Sequence, residues 1–136
     1  MTLQRLSLQT LALAFLIGTT GVMAEEEEAA APAKPIYYEL EPDILVNLKE
    51  PKHYLRIAIQ VMSRDQLTID MVEQNTPMLR HHLIMQLSEE SYKTLGNPSG
   101  REEVRKKALE KFNTLLDEES KGMEVAGLYF TNFMMQ

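Results

Sequence analysis

Three histidines have the widest choice of chemistry in this sequence, because imidazole binds metals and transfers protons near neutral pH. His81 and His82 are adjacent, so on a helix their side chains point about 100° apart and do not readily share one metal ion. Four residues further on stand Met85 and Gln86 rather than a second ligand, and His53 is far away in the sequence. Zinc sites gather three or four converging ligands. We therefore interpret the histidines as polar surface and turn residues and predict no metal-binding residues.

Methionine thioethers are the next candidates, since the sequence has nine methionines and no cysteine. Met71, Met78 and Met85 share a seven-residue spacing that would align them on one continuous helix as soft ligands for copper. Pro77 interrupts that helix, so adaptable core or interface packing explains the three side chains better. The lack of cysteine excludes disulfides, thiol nucleophiles and cysteine metal sites. The sequence therefore predicts no cofactor.

Hydrolase chemistry is the remaining enzymatic option. Ser88 and Ser91 are of the nucleophile type, and His82 and Asp70 are of the types that activate a serine. The sequence has no Gly-x-Ser-x-Gly motif to expose such a nucleophile. The turn at residues 96–100 lacks the lysine and the spacing of a phosphate-binding loop. The sequence therefore predicts no catalytic residues and a protein that is not an enzyme.

The charge balance excludes nucleic-acid binding. The formal net charge is −6, and Arg5 is the only charged residue among the first 24, so residues 25–136 hold 13 basic and 20 acidic side chains. Phosphate binding needs a basic surface. The one basic cluster, at residues 105–107, follows Glu102 and Glu103 at the spacing of ion pairs on a solvated helix face.

The N-terminal 24 residues have the order of a bacterial secretory signal. Arg5 precedes an uncharged stretch that is continuously apolar over residues 11–17 and ends in Val22-Met23-Ala24. A basic start, an apolar middle and small terminal residues predict cleavage near Ala24. The alternative is a retained inner-membrane anchor, because residues 6–24 just reach the roughly 20 residues of a spanning helix. Both alternatives place the rest of the chain in the periplasm.

The next 11 residues, 25–35, are four glutamates followed by an alanine- and proline-rich stretch. Prolines lack an amide donor and keep their neighbours out of the helical region, so this stretch should be extended and solvated. The sequence therefore predicts three parts: a signal peptide or anchor at 1–24, an acidic linker at 25–35, and a periplasmic domain at 36–136.

Three strands are predicted in the periplasmic domain. Residues 36–48 form the first, interrupted by Pro42. Residues 54–62 form the second, because aliphatic side chains alternate with mostly polar ones. The last runs from Met123 to Met135, and its final eight residues, 129–136, are too apolar to be left unpaired. Aromatic residues on these strands are interpreted as core rather than interface: Tyr37, Tyr38, Tyr54, Phe130 and Phe133.

Three helices are predicted between the second and third strands. Asp65 caps the first, which runs toward Gln74. Thr76, followed by Pro77, is the predicted N-cap of the second, which continues to about Tyr92. A capping box of Ser99 and Glu102 is expected to begin the third. Its apolar stripe is Val104, Ala108, Leu109, Phe112, Leu115 and Leu116.

The order strand, strand, helix, helix, helix, strand predicts an α+β domain. Its helices should cover one face of a small, antiparallel-containing sheet. We expect the last strand to return beside one of the first two.

Several short motifs occur in order between residues 40 and 136. They are Glu41-Pro42, Val46-Asn47-Leu48, Tyr54-Leu55-Arg56, Pro77 with Arg80, Leu87-Ser88, Gly100-Arg101 with Asn113 and Leu116, and Tyr129-Phe130-Thr131 with Phe133 and Gln136. No single motif is specific. Their collinear order resembles the periplasmic domain of the flagellar basal-body-associated FliL family.

That resemblance implies a stomatin-type fold and a homo-oligomer or ring that acts by contact rather than catalysis. It also implies stator or basal-body proteins as partners, with the inner membrane added if residues 6–24 are retained. The implied function is support of swimming and swarming. The cleavable-looking N-terminus leaves a second hypothesis open, a secreted paralogue that serves as a soluble periplasmic binding or scaffold module outside the flagellum.

Overall fold

The computed structural model describes residues 31–136, so the predicted signal or anchor and the acidic run at 25–28 lie outside the described residues. Residues 31–35 are exposed and have no regular structure. The elements that follow are β1 (Ile36–Glu39), β2 (Ile44–Asn47), β3 (Tyr54–Ser63), α1 (Gln66–Gln74), α2 (Thr76–Ser88), α3 (Tyr92–Gly96), α4 (Pro98–Glu119) and β4 (Gly127–Met135). None of the helices within residues 31–136 combines the length and the hydropathy that a membrane span requires.

The sheet is built around β3, and all of its pairings are antiparallel. Gln60 pairs with Glu39 of β1 and with Tyr129 of β4, and Arg56 pairs with both β2 and β4. Because a strand has two edges, β1 and β2 must follow one another along one edge while β4 covers the other. The prediction that the last strand returns beside one of the first two is therefore confirmed.

The interruption predicted at Pro42 is confirmed, since β1 and β2 are separate strands joined through this residue. The Glu41–Pro42 peptide bond is cis. Arg80 of α2 holds this irregular segment, because its Nη1 donates to the carbonyl oxygens of Leu40, at 3.1 Å, and of Pro42. Arg80, one of the residues that carry the family resemblance, therefore stabilises the segment between β1 and β2.

A β-bulge bends β4. Between its pairings with Ala58 and Arg56, the strand places Asn132 and Phe133 opposite the single residue Ile57. Asn132 has a φ of 47°, in the left-handed region that asparagine tolerates better than most residues. No sequence pattern predicted this bulge.

The hydrophobic core lies between the sheet and the helices. The alternation predicted for the second strand is confirmed, because its aliphatic side chains are all fully buried: Leu55, Ile57, Ile59 and Val61. The apolar stripe of α4 packs against the same core, and Leu109 alone in that stripe is only partly buried. The predicted α+β architecture is confirmed, with a small antiparallel sheet and four helices.

The first two helices agree with the sequence except at one cap. Asp65 caps α1 as predicted, accepting from the backbone N–H groups of Leu67 and Thr68. The predicted N-cap at Thr76 is wrong, because Asn75 takes the cap position and Thr76 is the first helical residue. Thr76 donates its hydroxyl backward to the carbonyl of Val72, at 2.9 Å, so it is not free to cap forward.

The middle of the chain contains a helix that the sequence did not predict. The second helix ends at Ser88 rather than near Tyr92, and the short α3 begins there instead, capped by the Ser91 hydroxyl. The predicted capping box for the long helix is also wrong. Asn97 is its N-cap, and the backbone N–H of Ser99 donates to that asparagine at 3.1 Å.

The last strand begins at Gly127, four residues later than the predicted Met123. Asn113 of α4 explains the delay. Its Oδ1 accepts from the N–H of Val125 at 2.8 Å, and its Nδ2 donates to the carbonyl of the same residue at 3.1 Å. The peptide groups of Val125 are therefore bound to a helix side chain rather than to β3.

Replacing Gly100 with alanine should destabilise the fold, because the new methyl group would overlap the carbonyl oxygen of Thr94. That oxygen is backbone, so α3 and α4 would have to move apart, at an expected cost of about 1–3 kcal/mol of unfolding free energy. Urea unfolding of the two proteins measures the difference. Gly96→Ala is the matched control, since its methyl group would meet Met135 at an ordinary 3.9 Å. Equal losses for both variants would contradict the prediction.

The cap at Asp65 should make stability depend on pH. The hydrogen bonds from the Thr68 side chain and backbone hold the pKa of Asp65 below its ordinary 3.8. A carboxylate with a lowered folded pKa stabilises above its unfolded pKa, and this contribution is lost as the pH falls through the folded value. The Tm advantage of the wild type over Asp65→Ala should therefore be full at pH 7 and shrink below about pH 3.8.

Asp65→Asn is the control for this pH effect, because asparagine keeps a capping oxygen but does not titrate. Its Tm advantage over Asp65→Ala should not shrink in the same acid range. A wild-type advantage that persists unchanged to pH 2 would show that the carboxylate charge is not involved.

Candidate functional site

The three histidines do not converge in the fold. The rings of His81 and His82 have centroids 5.5 Å apart and are tilted by 73° to each other. His53 instead packs against Tyr92, with 4.2 Å between ring centroids. Across residues 31–136, no three potential histidine or carboxylate ligands lie close enough to hold one metal ion.

The methionines are dispersed as well. Met71 and Met78 are partly buried against the core, whereas Met85 is 51% exposed. Ser88 donates its hydroxyl to the carbonyl of Met85 at 2.7 Å, which is a helix-end contact rather than a nucleophile setting. The notable features of the described residues are therefore three surfaces.

The first surface is the sheet face that points away from the helices, here called the open face. Its exposed apolar side chains are Tyr37, Leu45, Tyr54, Tyr129 and Met134. Tyr54 is an even-numbered residue of β3, and the other four side chains belong to residues that pair with even-numbered residues of β3. Because successive side chains of a strand point to opposite faces, all five lie on the same side of the sheet. An exposed apolar cluster of this kind is typical of an interaction surface.

A polar cluster crosses the open face. Asp43 lies between β1 and β2, and its Oδ2 accepts from Arg56 Nε of β3 at 3.0 Å and from Asn132 Nδ2 of β4 at 3.1 Å. One carboxylate therefore ties together both edges of the sheet. The bulge supplies Asn132 to this cluster, which gives that irregularity a structural role.

The second surface is a groove of about 620 Å³ along the outer edge of β4, here called the basic groove. Its lining is Pro98, Arg101, Glu102, Arg105, Tyr129, Phe130 and Phe133. Arg105 reaches from α4 to the strand, and its Nη1 donates to the carbonyl of Leu128 at 2.9 Å. That carbonyl points away from β3, so it belongs to the unpaired edge of the sheet.

The two arginines of the basic groove are in different electrostatic states. Arg105 makes a two-point ion pair with Glu102, at 2.6 and 2.8 Å. The side-chain hydrogen bond between them lowers the pKa of Glu102 and raises that of Arg105. Arg101 instead lies 5.2 Å from the centroid of the Phe133 ring, a cation–π distance. In the part of the chain that the structure describes, no carboxylate forms an ion pair with Arg101.

The third surface lies on the open face, where β1 is followed by β2, and is here called the acidic corner. Its lining is Glu39, Glu41, Pro42, Asp43, Leu45 and Arg56. Glu39 and Glu41 are exposed, and neither side chain is hydrogen-bonded to another residue within 31–136. The corner therefore presents two free carboxylates to solvent.

The basic groove was not predicted. Residues 102–107 were expected to form a solvated face with Glu102 and Glu103 facing the lysines, whereas Glu102 in fact bonds Arg105. Phe130 and Phe133 were expected in the core, and both are only partly buried against it. The four-residue spacing of Arg101 and Arg105, which puts them on one helix face, was the available signal.

Comparison with known proteins gives one consistent result. Residues 37–136 match the family described as flagellar basal body-associated protein FliL. The chain is similar to the flagellar protein FliL of Aquifex aeolicus (strain VF5), at 32% identity over 111 residues. That alignment covers 80% of this chain and 66% of the relative, so the chain spans just under two thirds of the relative's length. This chain therefore belongs to the flagellar basal body-associated FliL family.

Proposed function

We propose that this chain is a non-enzymatic component of the flagellar basal body that supports swimming and swarming through contacts made by residues 36–136. The observation that carries this proposal is the family match over residues 37–136, which takes in all helices and strands of the described fold except the first residue of β1. The family is one of structural flagellar proteins rather than of enzymes.

The described surfaces support a role in contact. The open face presents apolar side chains, the basic groove presents arginine side chains, and the acidic corner presents carboxylates. One small sheet therefore offers three kinds of contact surface. The proposed partners are other copies of this chain and proteins of the stator or basal body. Nucleic acid is not among them, because the net charge of −6 opposes binding to phosphate.

The proposed location is the periplasmic side of the inner membrane. Residues 1–24 would direct export or anchor the chain, and residues 25–35 would serve as the spacer. Eleven extended residues reach about 35 Å, enough to hold the domain clear of the lipid headgroups.

Cross-linking in living, motile cells tests the proposal. A periplasm-accessible cross-linker would be added, and proteins joined to residues 36–136 identified by mass spectrometry. We expect stator or basal-body proteins and reduced swarming in a clean deletion strain. Recovery of unrelated periplasmic proteins alone, with wild-type swarming after deletion, would overturn the proposal.

The second candidate is a secreted module that acts outside the flagellum, favoured by the Val22-Met23-Ala24 sequence before the glutamate run. It requires a mature protein that begins at Glu25 and is found in the soluble periplasmic fraction. N-terminal sequencing of the cellular protein decides the matter. A protein that begins at Met1 and stays in the membrane fraction would exclude this candidate.

A further inference from the structure

Two exposed tyrosine rings meet at one end of the open face, and they are here called the tyrosine pair. The ring centroids of Tyr37 and Tyr129 are 6.5 Å apart, and the rings are tilted by 45° to each other. Tyr37 is 54% exposed and Tyr129 is 37% exposed. Tyrosine joins an apolar ring to a polar hydroxyl, so the pair offers stacking area and hydrogen bonds at one place.

Gly127 lets the Tyr129 side chain lie down along β4. A methyl group at position 127 would point to the open face, because Gly127 pairs with the even-numbered Met62 of β3. That methyl group would lie 2.5 Å from the Tyr129 hydroxyl oxygen and 2.8 Å from Cζ. The outer end of the ring therefore fills the space that a side chain at position 127 would take, and the exposed part of the ring forms a low platform on the sheet.

The tyrosine pair is continuous with the basic groove, because Tyr129 lines that groove together with Arg101 and Arg105. The volume of about 620 Å³ falls within the roughly 300–1,000 Å³ of small-ligand sites, which are mostly apolar with a few charged groups. Arg105 is already engaged by Glu102 and by the carbonyl of Leu128. Arg101 has no such ion pair, so it is the guanidinium available to an anionic group of a ligand.

The side chains around Tyr129 differ in charge from one side to the other. Gln60 pairs with Tyr129, and its amide can both donate and accept a hydrogen bond. Beyond Gln60, the exposed Glu39 of β1 pairs with the same residue. A ligand bound here would meet a carboxylate toward β1 and guanidinium groups toward α4. An anionic group on the ligand is therefore favoured only at the α4 side.

We propose that the tyrosine pair and the basic groove form one binding site for a glycan that carries short acidic peptides. A sugar ring stacks on Tyr129, the amide of Gln60 bonds the polar groups of the sugar, and a peptide carboxylate binds Arg101. This inference rests on the proposed periplasmic location, because peptidoglycan is the periplasmic polymer with this chemistry.

A peptide without sugar fits the site less well. Extended peptides usually bind beside a sheet by pairing with the backbone of its edge strand. Here Arg105 occupies the edge carbonyl of Leu128, at 2.9 Å. A peptide held by Arg101 alone would also leave the tyrosine pair uncovered. A neutral sugar would cover the pair but leave Arg101 without a carboxylate, so the two features together favour a glycan with attached peptides.

Isothermal titration of the full chain in detergent tests the site, with a soluble disaccharide-tetrapeptide released from peptidoglycan as the probe. We expect saturable binding of one probe per chain. Two comparison ligands separate the contacts: the neutral tetramer of N-acetylglucosamine has no carboxylate, and the free tetrapeptide has no sugar. Each should bind at least about tenfold more weakly, because it makes only one of two linked contacts.

Each other result of the titration contradicts the inference. Equal affinity for the free tetrapeptide would identify the ligand as an acidic peptide. Equal affinity for the neutral tetramer would remove Arg101 from the site. Absence of binding to the disaccharide-tetrapeptide would remove the site itself.

Arg101→Gln should weaken binding of the disaccharide-tetrapeptide at least about tenfold, because it removes the charge that strengthens the hydrogen bond to the carboxylate. Lys106→Gln is the matched control, since Lys106 is exposed on the same helix and does not line the groove. The control should bind like the wild type. Equal losses in the two variants would show that only net charge matters, which would overturn the assignment of Arg101.

Gly127→Ala tests the tyrosine pair without removing a ring. The new methyl group would displace the end of a flexible, exposed side chain, so the Tm should stay near that of the wild type. Binding of the disaccharide-tetrapeptide should fall at least about fivefold, whereas binding of the free tetrapeptide should not change. Tyr129→Leu should give the same loss, and Tyr54→Leu, which lies outside the pair, should give none. Wild-type affinity in both the Gly127 and the Tyr129 variants would overturn the stacking contact.

The two proposals fail separately. If the disaccharide-tetrapeptide binds but no motor protein is captured in cells, the glycan site stands and the basal-body role is wrong. If motor proteins are captured and the disaccharide-tetrapeptide does not bind, the basal-body role stands and the glycan site is wrong.

Discussion

Removing residues 130–136 should abolish cooperative folding of the domain. This segment is most of β4, and its loss strips the pairing from residues 54–59 of β3 on one edge. The deletion also exposes the β4 side of three fully buried side chains, those of Leu55, Ile57 and Ile59. The main-chain hydrogen bonds and the apolar burial are lost together, and a strand with an unpaired edge is prone to aggregation.

Thermal unfolding followed by circular dichroism measures this effect. The truncated chain should show no sigmoidal transition and should be digested by protease at a concentration that the intact chain survives. Deletion of residues 31–35 is the control, because these residues are exposed and lie outside all helices and strands. A truncated chain that melts at the wild-type Tm would show that β4 is not part of the cooperative unit.

Phe112→Ala should be the most damaging single substitution. Phe112 lies in the C-terminal half of α4, is 1% exposed and is the largest of the fully buried side chains in residues 31–136. Truncating a buried phenylalanine leaves a cavity and costs about 3–5 kcal/mol. Against a typical stability of about 5–15 kcal/mol, that loss leaves a marginal fold.

Urea unfolding measures this loss as a fall in the midpoint at constant slope. Lys111→Ala is the matched control, since its side chain is exposed beside the same turn of the helix and its removal should stay within about 0.5 kcal/mol. Loss of swarming in the Phe112 variant would then follow from loss of the fold. A midpoint equal to that of the control would show that this helix does not pack on the sheet as described.

Local patterns predicted the parts of the fold that neighbouring residues decide. The alternation through β3, the interruption at Pro42 and the cap at Asp65 each depend on a few adjacent side chains, and each is confirmed. The missed caps arose where two residues competed. Asn75 stands directly before Thr76 and takes the cap position, although its side chain makes no cap hydrogen bond and its Nδ2 donates backward to the carbonyl of Met71.

The surfaces could not be predicted in this way, because they depend on which elements meet. Arg105 reaches the carbonyl of Leu128, which is 23 positions later in the chain. The late start of β4 depends on Asn113 of α4 binding Val125. The positions of the basic groove and the acidic corner follow from the register of the sheet rather than from any motif.

The hydrogen bond from Arg105 to the carbonyl of Leu128 affects the tendency of the protein to aggregate. A strand edge with unpaired N–H and C=O groups can pair with almost any extended chain, and this pairing leads soluble sheet proteins to precipitate or form fibrils. Here one edge acceptor is already occupied, and two cations stand beside the remainder. The occupied acceptor and the flanking charges therefore disfavour pairing of this edge with another extended chain.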